Sequence, residues 1–209
     1  MDRFIGLDFG TTNSSLAACT RANDEVTLAR FESAAGATTT FRSVLFFDPG
    51  DRDGREGARP LAGPRAIERY LASDGSGRLI QSLKSYLASR LFQTTNVFGR
   101  TYALDELIAL ILLDIRRGAR DLTGDPRSPV KGVVVGRPVR YSNAESEADE
   151  QLALDRLRKA LGIAGFEDVR FEYEPVGAAY FYESRLDHDE LVMIGDFGGG
   201  TSDFCLMRV

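Results

Sequence analysis

Two short stretches of this sequence share one plan and constrain the fold more than any other feature. The first reads Asp8-Phe9-Gly10-Thr11-Thr12-Asn13-Ser14. The second, 188 residues further on, reads Asp196-Phe197-Gly198-Gly199-Gly200-Thr201-Ser202. Each follows an apolar run and leads into another apolar run, the pattern of two buried strands joined by a tight turn. The sequence therefore predicts two β-hairpins of the same design.

The turns of both hairpins carry groups that suit a phosphate. A glycine lets the backbone approach a ligand closely, and threonine and asparagine supply donors beside the backbone N–H groups. The candidate phosphate-binding residues are Gly10, Thr11, Thr12, Asn13, Gly198, Gly199, Gly200 and Thr201. Neither turn is a P-loop, because the chain has no Gly-x-x-x-x-Gly-Lys-Ser/Thr sequence. The alternative is a pair of ordinary hairpins whose turns are rich in Gly and Thr.

One aspartate ends the first strand of each hairpin. If the two turns face each other, Asp8 and Asp196 can hold one hydrated Mg²⁺ between them, and a polyphosphate is bound from both sides. We then expect the two carboxylates to lie within roughly 10 Å of each other, given ~2 Å ligand distances and bridging waters. The alternative is two carboxylates solvated separately at strand ends.

Composition excludes several classes of protein. The chain has 209 residues, 43% apolar and 27% charged, and a net charge of −5, which gives no basic field to attract nucleic acid. No apolar run approaches the ~20 residues that span a membrane, and no signal peptide precedes the first strand. Cys19 and Cys205 lie in apolar runs and are expected as buried thiols of a cytoplasmic protein. The single histidine, His188, leaves little room for a Ser/His/Asp triad.

Hydrophobic patterning predicts an alternation of strands and helices with a mixed sheet. The predicted strands cover residues 3–9, 14–20, 25–31, 44–47, 131–135, 169–173, 191–194 and 204–209. The predicted helices cover residues 64–71, 105–122, a segment that begins at a capping box of Ser142 and Glu145 and ends at Leu161, and residues 175–185. In the helix 105–122, one apolar face is formed by Leu107, Ile108, Ile111, Leu112 and Ile115.

Three motifs in this order resemble the nucleotide-binding domain of the 70-kDa heat-shock chaperones. They are Ile5–Ser14, then Glu174-Pro175-Val176-Gly177-Ala178-Ala179, then Gly195–Thr201. That family belongs to the superfamily of actin, sugar kinases and heat-shock ATPases. The middle motif departs from the family's usual Glu-Pro-Thr-Ala-Ala-Ala, which suggests a divergent bacterial-type member.

The resemblance implies an organisation for the whole chain. Residues 1–37 and 102–187 would form a ribonuclease-H-like subdomain, and 38–101 an inserted α/β subdomain. Residues 188–209 would be the opening hairpin of a second lobe, the rest of which is missing. We therefore expect an N-terminal fragment that binds nucleotide weakly and hydrolyses it weakly or not at all.

The resemblance also implies a function and roles for individual residues. It implies an ATP-binding, magnesium-dependent ATPase module, with unfolded polypeptides and co-chaperones as partners of the full-length protein. Lys84 would reach the transferred phosphate, Glu174 would orient the attacking water, and Asp196 and Thr201 would complete the catalytic set. The residues alone leave alternatives open: Lys84 as a solvated helix lysine, and Glu174 as a first-turn acid favoured by the helix dipole.

Two other functions share the same hairpins. A bacterial actin-like filament protein and a sugar kinase both belong to the superfamily. The 166 residues between Asp8 and Glu174 favour the chaperone type, with its larger inserted subdomain. Residues 191–209 contain two apolar strands, and a bare two-stranded hairpin is marginal in water. The hairpin can fold back on the first lobe, fray, or pair with the same hairpin of another copy, and we expect self-association, because a two-fold pairing buries both apolar surfaces.

Overall fold

A computed structural model describes residues 3–20, 25–49, 60–118, 122, 132–183, 186–198 and 202–208. The predicted site residues Gly199, Gly200 and Thr201 lie outside these ranges. The strands are β1 (Arg3–Phe9), β2 (Asn13–Thr20), β3 (Val26–Leu28), β4 (Phe41–Arg42), β5 (Val44–Phe47), β6 (Leu61–Ala62), β7 (Arg78–Gln81), β8 (Thr94–Val97), β9 (Arg100–Ala103), β10 (Gly132–Arg137), β11 (Asp168–Tyr173), β12 (Leu191–Phe197) and β13 (Ser202–Arg208). The helices are α1 (Pro64–Ala72), a 3₁₀ helix (Leu83–Tyr86), α2 (Leu104–Gly118), α3 (Glu147–Ile163) and α4 (Glu174–Glu183).

The largest sheet is six-stranded and mixed. Its order is β11-β10-β1-β2-β3, and β4 pairs with β2 beyond the turn of the first hairpin. Strands β1, β2 and β3 are antiparallel neighbours, whereas β10 runs parallel to both β1 and β11. This arrangement confirms the predicted mixed α/β fold.

One face of this sheet is buried and the other is open. In β1, Ile5, Leu7 and Phe9 are buried, whereas Phe4, Gly6 and Asp8 point to the opposite, exposed face. Strand β10 repeats the pattern, with Val133 and Val135 buried. Alternate side chains of a strand point to opposite faces, so Asp8 is presented on the open face.

Helix α2 buries the predicted apolar face. Its fully buried members are Leu107, Ile108, Ile111, Leu112 and Ile115, and the helix packs against α3. The predicted end at Leu122 is wrong, because the helix ends at Gly118 and Leu122 already lies in a turn. A glycine is among the weakest helix formers, which accounts for the earlier end.

Helix α3 begins four residues later than the sequence pattern suggested. The capping box consists of Ser146 and Asp149: the Ser146 hydroxyl accepts from the Asp149 N–H, and the Asp149 carboxylate accepts from the Ser146 N–H at 3.1 Å. The prediction of Ser142 with Glu145 is wrong because Ser142 lies in a turn, followed by Asn143 at φ 64°. The helix continues past Leu161 and ends before Gly165, whose φ of +91° suits a glycine.

Residues 41–103 add two small antiparallel sheets to the main one. Strands β6, β5 and β7 form the first, and β8 with β9 forms a hairpin that the sequence pattern did not predict. All four residues of β5 are buried, because this strand packs between the main core and a small cluster of Val44, Phe46 and Ala66. Helix α1 begins at Pro64, its predicted start.

The second hairpin, β12 with β13, extends beyond the predicted strands 191–194 and 204–209. Helix α4 contacts β12, and Val192 and Ile194 are half-buried. The opposite face of the hairpin is open, and its large apolar residues are more than half exposed: Leu191, Met193, Phe197, Phe204 and Leu206. Within the described ranges, no helix combines the length and hydrophobicity needed to cross a bilayer.

Candidate functional site

The two predicted hairpins have the same register. The first pairs Arg3 with Thr20 through to Phe9 with Ser14, and the second pairs Leu191 with Arg208 through to Phe197 with Ser202. Each ladder has seven residue pairs and closes on a Phe–Ser pair around four turn residues. The aspartate is the next-to-last residue of the first strand in both. The repeated sequence therefore gives the same strand pairing twice.

The turn of the first hairpin depends on its glycine. A Cβ on Gly10 would collide with the carbonyl oxygen of Asn13, so a larger residue would force this turn open. Thr11 and Thr12 lie in bends and are half-buried, and Asn13 begins β2. In the second turn, the structure describes only Gly198, directly after β12.

Four of the predicted residues form one cluster of charges around Asp8. The Asp8 side chain is exposed at the sheet surface. The surrounding protein nevertheless displaces water from the carboxylate, and this desolvation raises the pKa of the Asp8 carboxyl. The Lys84 ammonium lowers that pKa, and the carboxylates of Glu174 and Asp196 raise it further. The charges of Lys84, Glu174 and Asp196 therefore all act on the Asp8 carboxyl.

Lys84 and Glu174 form an ion pair within this cluster. Lys84 Nζ lies 2.7 Å from Glu174 Oε1, and the two side chains are only 10% and 17% exposed. Glu174 is the first residue of α4. Its Cγ packs closely over Gly136, because a Cβ added to Gly136 would lie 3.0 Å from that Cγ. Lys84 lies on the 3₁₀ helix. Because both side chains are largely buried, neither residue is a solvated surface charge.

Helix α3 anchors the segment that carries Lys84. Arg156 donates from one guanidinium nitrogen to the carbonyls of Leu87 and Ser89 at 2.9 and 2.8 Å, and more weakly to that of Tyr86 at 3.4 Å. Its other terminal nitrogen donates to the carbonyl of Phe92 at 3.2 Å. Hydrogen bonds from a charged donor are the stronger class, so Arg156 fixes the chain immediately after the 3₁₀ helix.

A second arginine, Arg137, contacts Tyr173, the residue directly before Glu174. Arg137 ends β10, pairs with Glu150 at 3.1 Å, and places its guanidinium 4.8 Å from the centroid of the Tyr173 ring. Glu150 also accepts a hydrogen bond from the N–H of Tyr141 at 2.8 Å. The backbone leading into Glu174 is therefore held by a cation–π contact. Sequence reasoning missed this role, although a cation at the end of a buried strand is a detectable signal.

The carboxylates present fit a hydrated magnesium ion. The described residues contain no group of three or more His, Cys, Asp or Glu side chains arranged to hold a metal ion. Mg²⁺ needs no such group, because it keeps several waters and binds through one or two carboxylates together with substrate phosphates. Like charges that raise the pKa of Asp8 would be offset by a bound cation.

Fold and site define a class: a mixed α/β protein with two like hairpins, in which the aspartate of one acts electrostatically on the aspartate of the other. A protein-family model described as Hsp70 protein matches residues 4–209. The match spans nearly the whole chain, and the chain belongs to the Hsp70 family. The resemblance seen in the three motifs is confirmed, and family membership supports a chaperone-type ATPase domain that binds ATP or ADP.

Proposed function

We propose that this chain binds ATP or ADP together with Mg²⁺ in the cleft between the two hairpins and contributes the hydrolytic groups of a cytoplasmic chaperone ATPase. The observation that carries the proposal is the cluster of Asp8, Lys84, Glu174 and Asp196, four residues far apart in the sequence. Phosphoryl transfer to water needs charge neutralisation and a positioned water. This cluster contains a group suited to each task.

The two turns would bind the phosphates. Backbone N–H groups and hydroxyls of Thr11, Thr12 and Thr201 would donate to phosphate oxygens, assisted by Asn13. The glycines of both turns, Gly10 and Gly198–Gly200, would allow the backbone to approach. Asp8 and Asp196 would hold the hydrated magnesium ion, which would supply positive charge at the phosphate oxygens.

Lys84 and Glu174 would act on the reacting groups. The Lys84 ammonium would turn from Glu174 toward the transferred phosphate, which carries more negative charge than one carboxylate. Glu174 would then accept a hydrogen bond from the attacking water and orient it. The short Lys84–Glu174 distance supports these roles, because each residue holds the other in place.

The architecture supports a matching assignment of subdomains. We propose that the strands β11-β10-β1-β2-β3 with α2 and α3 are the ribonuclease-H-like part, residues 1–37 and 102–187, and that 38–101 is inserted into it, with β4 of the insert paired to β2. Residues 188–209 would begin the second lobe. The support is the mixed order β11-β10-β1-β2-β3 and the separate small sheets within 44–103.

The test combines a nucleotide titration with single-turnover hydrolysis. Wild-type protein should bind a fluorescent ADP analogue more tightly with Mg²⁺ than with EDTA, and Asp8→Asn should lose this dependence. Glu174→Gln should keep nucleotide binding and lose about 10²-fold or more in phosphate release, as expected when a water-positioning group is removed. Lys84→Ala should lower hydrolysis as well.

The matched control is Lys159→Ala. Lys159 also pairs with a carboxylate at short distance, with Nζ 2.6 Å from Asp105 Oδ2, but its side chain is 67% exposed and the pair joins α3 to α2. It should leave hydrolysis unchanged. Equal hydrolysis by wild type, Lys84→Ala and Glu174→Gln would remove the proposed roles. An ATP-dependent pellet on sedimentation would instead favour the actin-like filament protein.

A further inference from the structure

We propose that Arg42 is an additional phosphate-binding residue of this site, placed at the outer end of the first hairpin turn. The inference rests on the proposed function and names a residue that none of the sequence motifs contains. Arg42 lies on β4, the two-residue strand that pairs with the start of β2.

Strand register places Arg42 on the same sheet face as Asp8. Asp8 pairs with Ser15 across β1 and β2, so their side chains share a face. Asn13 lies two residues before Ser15 and returns to that face. Arg42 is the cross-strand partner of Asn13 on β4. Arg42 therefore lies on the open face of the sheet, about two strand spacings, ~10 Å, from the line of β1.

The Arg42 side chain reaches the turn itself. Its NH1 group donates to the Asn13 side-chain oxygen at 3.0 Å. A guanidinium has five N–H donors, and this bond uses one. The side chain is exposed on the site's face, so the remaining donors can bind a phosphate held by the N–H groups of the turn. Bidentate binding of phosphate is what this planar group does best.

The backbone of β4 is fixed against the turn, so the Arg42 side chain starts from a rigid position. The Ser43 N–H donates to the carbonyl of Thr12 at 2.9 Å. The hydroxyls of Ser43 and Ser14 are hydrogen-bonded at 2.9 Å and both residues are buried. Arg42 directly precedes Ser43 and pairs with Asn13 of the turn, so its backbone moves with the turn.

The charge balance of the cluster requires further cations. Asp8 and the groups that shift its pKa comprise three carboxylates and one ammonium, the carboxylates being Asp8, Glu174 and Asp196. One divalent ion would cancel the excess negative charge of these four side chains, but would leave no positive charge for a bound ligand. A polyphosphate adds several more negative charges, which Arg42 is positioned to offset beside the first hairpin turn.

The experiment compares Arg42→Ala, Arg42→Lys and Arg65→Ala by titration with AMP, ADP and ATP, each with Mg²⁺, and with magnesium tripolyphosphate. Arg65 is an exposed arginine on α1 and matches the change in net charge. Arg42→Ala should weaken ADP and ATP binding at least about tenfold, the size of one charge-assisted hydrogen bond. The loss should be smaller for AMP, and the dependence of affinity on salt should become flatter. Arg42→Lys should restore part of the affinity, and Arg65→Ala should bind as wild type.

Two results would overturn the assignment while leaving the proposed function intact. The first is wild-type ADP binding that Arg42→Ala does not change. The second is an effect of Arg42→Ala that vanishes in an Asn13→Ala background, because Arg42 would then act only by holding Asn13. If wild-type protein binds neither nucleotide nor tripolyphosphate, the proposed function fails and this inference fails with it.

Discussion

Replacing Arg156 with alanine should destabilise the protein more than any other exposed or half-exposed charge on α3. The guanidinium makes three well-formed hydrogen bonds, to the carbonyls of Leu87, Ser89 and Phe92, and the contact to Tyr86 at 3.4 Å is long. A net contribution near 1 kcal/mol for each good bond gives a loss of about 3 kcal/mol in the free energy of unfolding. In Arg156→Ala the three carbonyls would lose this donor. Arg156→Lys should recover only part of the lost stability, because an ammonium cannot reach the same carbonyls with the fork of a guanidinium.

The control for this prediction is Arg158→Ala on the same helix. Arg158 places its guanidinium 5.1 Å from the centroid of the Phe171 ring and is exposed, so its removal should cost about 0.5–1 kcal/mol. Urea unfolding of both variants, with unchanged m-values, measures the difference. Amide exchange should also show residues 83–92 opening more readily in Arg156→Ala. Equal unfolding free energies for the two variants would refute the reasoning.

Three further predictions concern pH, capping and association. The pKa of Asp8 is raised above 3.8 in the folded state, so the folded state binds this proton more readily and stability falls as pH rises through that pKa. Asp8→Asn should therefore unfold at higher urea than wild type at pH 7, with the difference vanishing below about pH 4. Ser146→Ala should cost about 1 kcal/mol in unfolding free energy, and Ser142→Ala close to none, because Ser146 is the N-cap. Wild-type protein should associate with rising concentration in light scattering, and Met193→Lys with Phe204→Lys should stay monomeric, because both are exposed on one hairpin face.

Specific outcomes would contradict these predictions. A constant difference between Asp8→Asn and wild type from pH 4 to 7 would mean that the charge of Asp8 is not responsible. Equal costs at Ser142 and Ser146 would contradict the capping assignment. For association, Leu91→Lys is the control, because Leu91 is 98% exposed but far in sequence from the hairpin. Association that persists in the double lysine variant would exclude this face.

Local structure can be predicted from the sequence where apolar residues recur at a regular spacing and one face of the element is buried. The face of α2 and the alternation of β1 follow directly from their apolar spacing, because each element packs against one core. The capping box was misplaced for the same local reason: Ser142 and Ser146 are each followed three residues later by an acidic residue. Only the turn at Asn143 decides between them, and that turn depends on tertiary contacts such as the Asn143 amide donating to the Ser85 carbonyl.

The site was partly predictable because its hairpins repeat a sequence. The repeat placed Asp8 and Asp196 at matching positions, and the family resemblance added Lys84 and Glu174. Arg42 and Arg156 were not predictable from local pattern. Their contacts join residues 29 and at least 64 positions apart, and neither residue lies in a repeated motif. The contact of Arg42 arises from the pairing of β4 with β2, and the contacts of Arg156 arise from the packing of α3 beside the 3₁₀ helix.

The charged cluster joins residues 8, 84, 174 and 196, so it spans almost the whole chain, and this fixes when it can form during synthesis. A nascent chain folds from its N-terminal end while the later residues have still to be made. Once β10 and α3 have emerged, the apolar face of β1 can be covered, yet Asp8 would still lack both Glu174 and Asp196. Burial of the core and assembly of the cluster are thus separate events, on opposite faces of one sheet. Under the proposed function, nucleotide would therefore act only after the core has formed, and the step that it would influence is the placement of β12 and β13 beside Asp8.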